Sequence, residues 1–223
     1  MDKRMLIQAI SRYLLGLLLF SAFLFIPAGT INYWNGWLLM GILFIPMFIT
    51  GVILMTKNPD LLRKRLKTKE KESQQKSVLS FAALMFICGF AVAGLDYRYG
   101  WMVLPKWVSI VAAVIFEFGY LMYAKVLREN TYLSRTVEVQ KNQKVIDTGL
   151  YGIVRHPMYL STFLLFLSMP LVLGSLVAFV VFLIYPIIIG KRIKNEEEVL
   201  EKELPGYIEY KKRIRYRVIP FIW

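Results

Sequence analysis

The side chains best suited to chemistry surround the only histidine of the chain, in the segment GLYGIVRHPMY at residues 149–159. Pro157 suits the first turn of a helix, because its missing N–H would have no partner there anyway. A helix start offers free N–H groups and partial positive charge, and Arg155 and His156 add donors at the same point. Tyr151 and Tyr159 could stack on a planar base. The segment therefore predicts a binding site for a carboxylate or phosphate. The alternative function of these side chains is to anchor a helix among lipid headgroups.

A second polar cluster, KRIKNEEE at residues 191–198, follows the last apolar run. Arg192 and Glu196 are four positions apart and would share one face of a helix. A surface salt bridge between them would be worth at most about 0.5 kcal/mol. The functional alternative is a divided pair, in which Glu196 contacts a cationic or hydroxylated ligand and Arg192 an anionic one. A hairpin between the two clusters would bring Arg192 and Glu196 close to His156.

The composition indicates an integral membrane protein. The 223 residues are 57% hydrophobic, with a mean hydropathy of +0.51, which exceeds what a soluble domain of this length shows. The net charge is +13, but lysine and arginine cluster between the apolar runs, which favours membrane topology and anionic headgroups over nucleic acid. One histidine and one cysteine, Cys88, argue against a metal site, because zinc and iron sites need several nitrogen or sulfur ligands.

Six apolar runs predict an all-α, polytopic membrane helix bundle of about six transmembrane helices. They cover approximately residues 6–26, 37–55, 78–95, 107–127, 158–172 and 175–189. The last two runs are short and meet at a tight link over residues 170–174, so they predict a carboxyl-terminal helical hairpin.

The distribution of positive charge predicts the orientation. Only Arg98 and Lys106 fall in the loops on one side, whereas the strongly basic loop 57–77 shares the other side with both termini. By the positive-inside rule we expect both termini and His156 to be cytosolic. We expect the membrane to be a prokaryotic cytoplasmic membrane rather than the endoplasmic reticulum. The chain divides into transmembrane helices 1–4 (residues 1–127) and a functional region (residues 128–223). That region ends in a tail, residues 206–223, expected to lie on anionic lipid as an amphipathic segment that could also cover the site.

The motifs of the second region resemble those of the isoprenylcysteine carboxyl methyltransferase family, whose relatives include the phospholipid methyltransferases. The resemblance covers roughly residues 130–220. Its elements are residues 149–159, Arg192-x-x-x-Glu196-Glu197-x-x-Leu200, Gly206-Tyr207-x-x-Tyr210, and the upstream NPDLL at residues 58–62. The resemblance implies a membrane enzyme with a cytosolic pocket for S-adenosyl-L-methionine outside any Rossmann domain, which agrees with the lack of a Gly-x-Gly-x-x-Gly string.

The resemblance also implies which residues form the site. Arg192 and Glu196 would be catalytic, with Arg192 holding the acceptor. The cofactor pocket would comprise Gln140, Gln143, Lys144, Val145, Ile146, Tyr151, His156, Pro157, Met158, Tyr159, Glu196 and Glu197. Some family members have a histidine near position 143, where this chain has Gln143.

The predicted reaction is methyl transfer from S-adenosylmethionine to a lipophilic small molecule or prenylated acceptor, with a carboxylate of the isoprenylcysteine type as the first choice. A carboxylate is already nucleophilic at neutral pH, so catalysis would rest on positioning and desolvation. The partners would be the acceptor and membrane lipid, with no nucleic acid and no metal. There are three alternatives: a phospholipid N-methyltransferase, an NADPH-dependent enzyme like the sterol reductases, and a non-enzymatic scaffold or transporter-like protein. The sterol reductases carry a similar Arg-His-Pro-x-Tyr string.

Overall fold

A computed structural model of the chain describes residues 3–66, 73–133 and 138–223. These residues form nine α-helices. They are α1 (Lys3–Ala28), α2 (Trp34–Lys57), α3 (Pro59–Leu66), α4 (Ser73–Tyr99), α5 (Lys106–Glu129), α6 (Pro157–Val172), α7 (Leu176–Phe182), α8 (Tyr185–Glu203) and α9 (Tyr207–Arg213).

The apolar helices confirm the prediction of an all-helical membrane bundle. Among the described residues, five segments are long and apolar enough to cross a membrane: one in each of α1, α2, α4 and α5, and one that runs through α7 and α8. Helix α6 is a shorter apolar helix of 16 residues. Large apolar side chains such as Leu14, Phe81 and Leu121 point outward from these helices. An apolar exterior is expected where lipid, and not water, surrounds the helices.

The predicted hairpin is formed by α6 followed by α7 and α8. Gly174 turns the chain with a φ of +74°, a conformation that side chains other than glycine rarely adopt. Buried polar groups satisfy the last carbonyls of α6: Tyr33 donates to the Leu173 carbonyl at 2.6 Å, and Asn35 donates to the Val172 carbonyl at 2.7 Å. The oxygen of Ser175 then caps α7. These contacts hold the hairpin at the end of the bundle opposite His156.

The basic loop predicted at residues 57–77 contains a helix, α3. Asn58 caps this helix by accepting a hydrogen bond from the Leu61 N–H at 3.2 Å. Leu61 and Leu62 are buried, so α3 is packed against the bundle. Residues 67–72 of the predicted loop lie outside the described residues.

A glycine in α4 sets the distance between α1 and α4, and it supplies the first testable prediction. A Cβ atom added at Gly94 would lie 2.7 Å from the Leu24 carbonyl oxygen and 3.0 Å from the Ala28 nitrogen. Because both atoms belong to the backbone, the helices would have to move apart. We expect Gly94→Ala to lower the free energy of unfolding by about 1–3 kcal/mol, measured as a lower melting temperature in detergent.

Gly41 in α2 provides the matched control for Gly94. A Cβ atom at Gly41 meets nothing within 4 Å, so Gly41→Ala should leave the melting temperature unchanged or raise it slightly. Equal melting temperatures for the two variants would contradict a close α1–α4 contact at Gly94.

Candidate functional site

A polar pocket lies at one end of the helix bundle. It is enclosed by the segment that follows α5, the start of α6, the last turns of α8, and α9. Its empty volume is about 880 Å³, including the part that is open to solvent. Ten residues predicted from the sequence line it. They are Gln143, Lys144, Val145, Ile146, Tyr151, His156, Met158, Tyr159, Arg192 and Glu196. The residues that line the cavity lie up to 80 positions apart in the chain, from Asn130 to Tyr210.

The start of α6 is formed as the sequence predicted. His156 is the N-cap residue and Pro157 occupies the first helical position. The backbone N–H groups of Arg155 and His156 are not available to a ligand, however. They donate to the carbonyl oxygens of Tyr216 at 2.9 Å and Arg217 at 2.8 Å. The carboxyl-terminal segment is thus paired with the chain directly before α6.

Tyr159 connects the two residues predicted to be catalytic. Its hydroxyl donates to Glu196 Oε2 at 2.6 Å and accepts from Arg192 Nε at 2.9 Å. We call this series of hydrogen bonds the Arg192–Tyr159–Glu196 chain. The structure confirms that Arg192 and Glu196 share one face of α8, and all three residues of the chain line the pocket. A cation and an anion are therefore held in fixed positions beside the same cavity.

Glu197 lies outside the pocket, although the sequence analysis included it among the cofactor-binding residues. The residue is 2% exposed, and its side chain belongs to a group of ion pairs that we call the Glu197 cluster. Oε1 accepts from Arg155 Nε at 2.7 Å and lies 3.2 Å from His156 Nε2, while Oε2 accepts from Arg217 Nε at 3.1 Å. The partner of His156 across the hairpin is therefore Glu197, whereas Glu196 faces the cavity.

Two other predicted cofactor residues, Gln140 and Pro157, do not line the pocket. Gln140 shapes the turn before the pocket wall: its N–H donates to the Gln143 side chain at 2.9 Å, and its side-chain amide donates to the Tyr132 carbonyl. Pro157 is buried in the first turn of α6. Both residues position neighbours that line the cavity, and neither presents its own side chain to it.

The pocket wall includes residues that the sequence analysis did not assign to the site, above all Tyr207 and Tyr210 of α9. Gly206, with a φ of +84°, is the N-cap residue directly before α9, and both tyrosines of the helix are buried. Tyr210 donates to the Tyr151 carbonyl at 2.8 Å. The tail was expected to lie on lipid as an amphipathic segment that could also cover the site, and its helix α9 does line the pocket. The Tyr-x-x-Tyr spacing was the available signal, since it places both rings on one helix face.

A hydrogen bond from outside the predicted set orients Tyr151. Asn130 Nδ2 donates to the Tyr151 hydroxyl at 3.0 Å. Burial raises the pKa of Tyr151, and the hydrogen bond from Asn130 opposes that shift only in part. The ring of Tyr151 is therefore a neutral, fixed surface in the pocket wall.

The fold and the site define a multi-pass helical membrane protein with a polar pocket at one end of its helices. Residues 107–202 match the model of the isoprenylcysteine carboxyl methyltransferase (ICMT) family. The resemblance noted in the sequence is thereby confirmed.

Two known proteins extend the comparison. The fold is similar to the solved structure of the eukaryotic intramembrane Ras methyltransferase ICMT, with a TM-score of 0.57 and 18% identity over 88% of this chain and 68% of that chain. At this identity the likeness concerns the fold. The chain is also 29% identical over 91 residues to the Delta(14)-sterol reductase TM7SF2 of Mus musculus. That match covers 40% of this chain and only 22% of the reductase.

Proposed function

We propose that this protein is an integral-membrane methyltransferase that uses S-adenosylmethionine and acts on a carboxylate of a lipophilic acceptor of the isoprenylcysteine type. The observation that carries the proposal is the Arg192–Tyr159–Glu196 chain, which holds a cation and an anion beside one pocket. The family match of residues 107–202 supports the class of reaction.

The side chains of the pocket fit the methyl donor. The carboxylate of Glu196 complements a sulfonium or an ammonium group, and Tyr151 offers a planar face to a purine ring. Met158 and Val145 add apolar surface. S-adenosylmethionine supplies, when bound, a methyl group activated on a positively charged sulfur. We assign Glu196, Tyr151, His156, Met158 and Tyr159 to its binding, and Glu197 to the support of that site from behind.

Arg192 is assigned to the acceptor. A guanidinium group presents several N–H donors in a plane that matches a carboxylate, and its Nε contact with Tyr159 fixes its orientation. Because a carboxylate needs no general base to attack a methyl group, the protein has to align the two substrates and exclude water. Arg192 and Tyr159 are buried, which keeps their side chains in fixed positions and keeps water away from them.

We further propose that the pocket faces the cytosol and that both termini are cytosolic, in a prokaryotic cytoplasmic membrane. The support for this orientation is the distribution of lysine and arginine along the chain, which the positive-inside rule relates to the cytosolic side. In this arrangement residues 128–223 carry the catalytic function. Residues 1–127 anchor it and hold the hairpin through contacts such as Tyr33 with Leu173.

Transfer of a labelled methyl group tests the proposal. Purified protein in detergent would be incubated with methyl-labelled S-adenosylmethionine and either prenylcysteine analogues or total membrane lipids. We expect a labelled product that releases volatile methanol in alkali, because a carboxyl methyl ester hydrolyses under conditions that an N-methyl group survives. Label that is stable to alkali in a lipid amine would instead identify a phospholipid N-methyltransferase, and absence of any labelled product would contradict methyl transfer.

One observation favours a second candidate, an NADPH-dependent reductase. Over 91 residues the chain is 29% identical to the mouse sterol reductase. The fold likeness to ICMT covers 88% of this chain, which supports the methyltransferase as the first choice. Thermal stabilisation by S-adenosylhomocysteine, compared with stabilisation by NADPH at the same concentration, discriminates between the two.

A further inference from the structure

Tyr207 is the first residue of α9, and its hydroxyl group is unusual among the polar groups of the pocket. The residue is 4% exposed and lines the cavity. Among the described residues, no hydrogen-bond partner lies within reach of its oxygen atom. Buried hydroxyl groups in native proteins nearly always have a partner, because burial without one loses the hydrogen bonds made to water. A buried, unpartnered donor beside a cavity therefore indicates a partner that enters the cavity.

The second tyrosine of α9 shows that the helix does not prevent such a bond. Tyr210 lies one turn further along, is equally buried, and donates to the Tyr151 carbonyl at 2.8 Å. The two rings lie 5.8 Å apart and pack in the same small cluster with Leu204. The lack of a partner is thus specific to the Tyr207 hydroxyl and is not a property of the α9 surface.

The environment of Tyr207 keeps its hydroxyl group protonated. Burial raises its pKa, and the negative charges of Glu197 and Glu196 add to that effect. The group is then available as an O–H donor throughout the physiological pH range. It would prefer an acceptor atom on a ligand, such as a carboxylate or hydroxyl oxygen or a ring nitrogen.

We propose that Tyr207 is a binding residue for the methyl donor and that its hydroxyl donates a hydrogen bond to an acceptor atom of S-adenosylmethionine. The inference rests on the proposed function and adds a residue of the carboxyl-terminal segment to the site. The cluster that Tyr207 forms with Leu204 and Tyr210 packs against Val145 and Leu200, and α9 follows the last apolar helix. A polar methyl donor enters a pocket from water, whereas the lipid tail of an acceptor must approach through the apolar helices.

The test is Tyr207→Phe, which keeps the ring and removes only the oxygen atom. Binding of S-adenosylhomocysteine to the full-length protein in detergent would be measured by titration calorimetry. Loss of one hydrogen bond is expected to weaken binding roughly three- to tenfold. The unliganded variant should melt at the wild-type temperature or above it, because the missing hydroxyl had no partner there.

Two matched variants control the test. Tyr210→Phe should lower the melting temperature of the unliganded protein, because it removes the bond to the Tyr151 carbonyl. Tyr216→Phe removes a hydroxyl from the same segment at a position that does not line the pocket, and it should bind S-adenosylhomocysteine like the wild type.

Three results would overturn the inference. They are unchanged binding of S-adenosylhomocysteine by Tyr207→Phe, a lower melting temperature of that variant without ligand, and a higher KM for the lipid acceptor with unchanged donor binding. The last result would assign the hydroxyl to the acceptor. Failure of the wild-type protein to bind S-adenosylhomocysteine is a separate result, which would contradict the proposed function and this inference together.

Discussion

Replacement of Glu196 by glutamine is expected to lower the rate of methyl transfer about 100-fold or more. Glutamine has nearly the same size and can still accept the hydrogen bond that Tyr159 donates at 2.6 Å. It lacks the negative charge that would complement the sulfonium of the donor. The variant should therefore bind S-adenosylmethionine, which is positively charged at sulfur, more weakly than the wild type does. S-adenosylhomocysteine, whose sulfur is neutral, should be affected less.

Glu198 supplies the control for this charge effect. It lies two positions further along α8 and is exposed to solvent. Glu198→Gln changes the net charge by the same amount and should retain wild-type activity. Activity of Glu196→Gln within about threefold of the wild type would remove Glu196 from the proposed mechanism, since one mispositioned reacting group alone costs more than that.

Replacement of Glu197 by glutamine is expected to destabilise the protein by about 3–5 kcal/mol, because it leaves the buried guanidinium of Arg155 without its carboxylate. Arg155 is 6% exposed, and Arg217 and His156 depend on the same side chain. Two contacts of the carboxyl-terminal segment should loosen as a result: the Arg217 side chain on Glu197, and the backbone pairing with Arg155. The measurements are the melting temperature in detergent and the rate of tryptic cleavage after Arg215 and Arg217.

The outcome for Glu197 separates support from direct binding. If Glu197 supports the pocket from behind, loss of donor binding in Glu197→Gln should accompany faster tryptic cleavage of the tail. Weaker binding with a wild-type melting temperature and a protected tail would place Glu197 in direct contact with the ligand. Glu198→Gln again serves as the control, with unchanged cleavage and melting.

The amino-acid sequence was sufficient to predict the class of fold and ten of the residues that line the pocket. Apolar runs of about 20 residues have one stable structure in a bilayer, because a helix satisfies its own backbone hydrogen bonds there. The start of α6 at Pro157 and the shared face of Arg192 and Glu196 are local, since the ring of proline and the helical period determine them. Features that depend on a few neighbouring residues could thus be predicted.

The sequence could not distinguish Glu196 from Glu197. Adjacent positions on a helix point about 100° apart, so two neighbouring carboxylates can have different surroundings. Which one faces the cavity depends on the rotation of α8 about its axis, and that rotation is set by packing against the rest of the bundle.

What the sequence by itself determined is a helical membrane protein with a cluster of polar residues at His156, Tyr159, Arg192 and Glu196, because hydropathy and helical period act over short distances along the chain. Only the tertiary structure decided the role of the carboxyl-terminal segment. Its amphipathic pattern predicts an apolar face, but the pattern is the same whether lipid or protein covers that face. The backbone pairing of residues 155–156 with residues 216–217 joins segments about 60 positions apart. No local periodicity encodes such a contact, and α9, which carries Tyr207, lies in the chain between α8 and this paired segment.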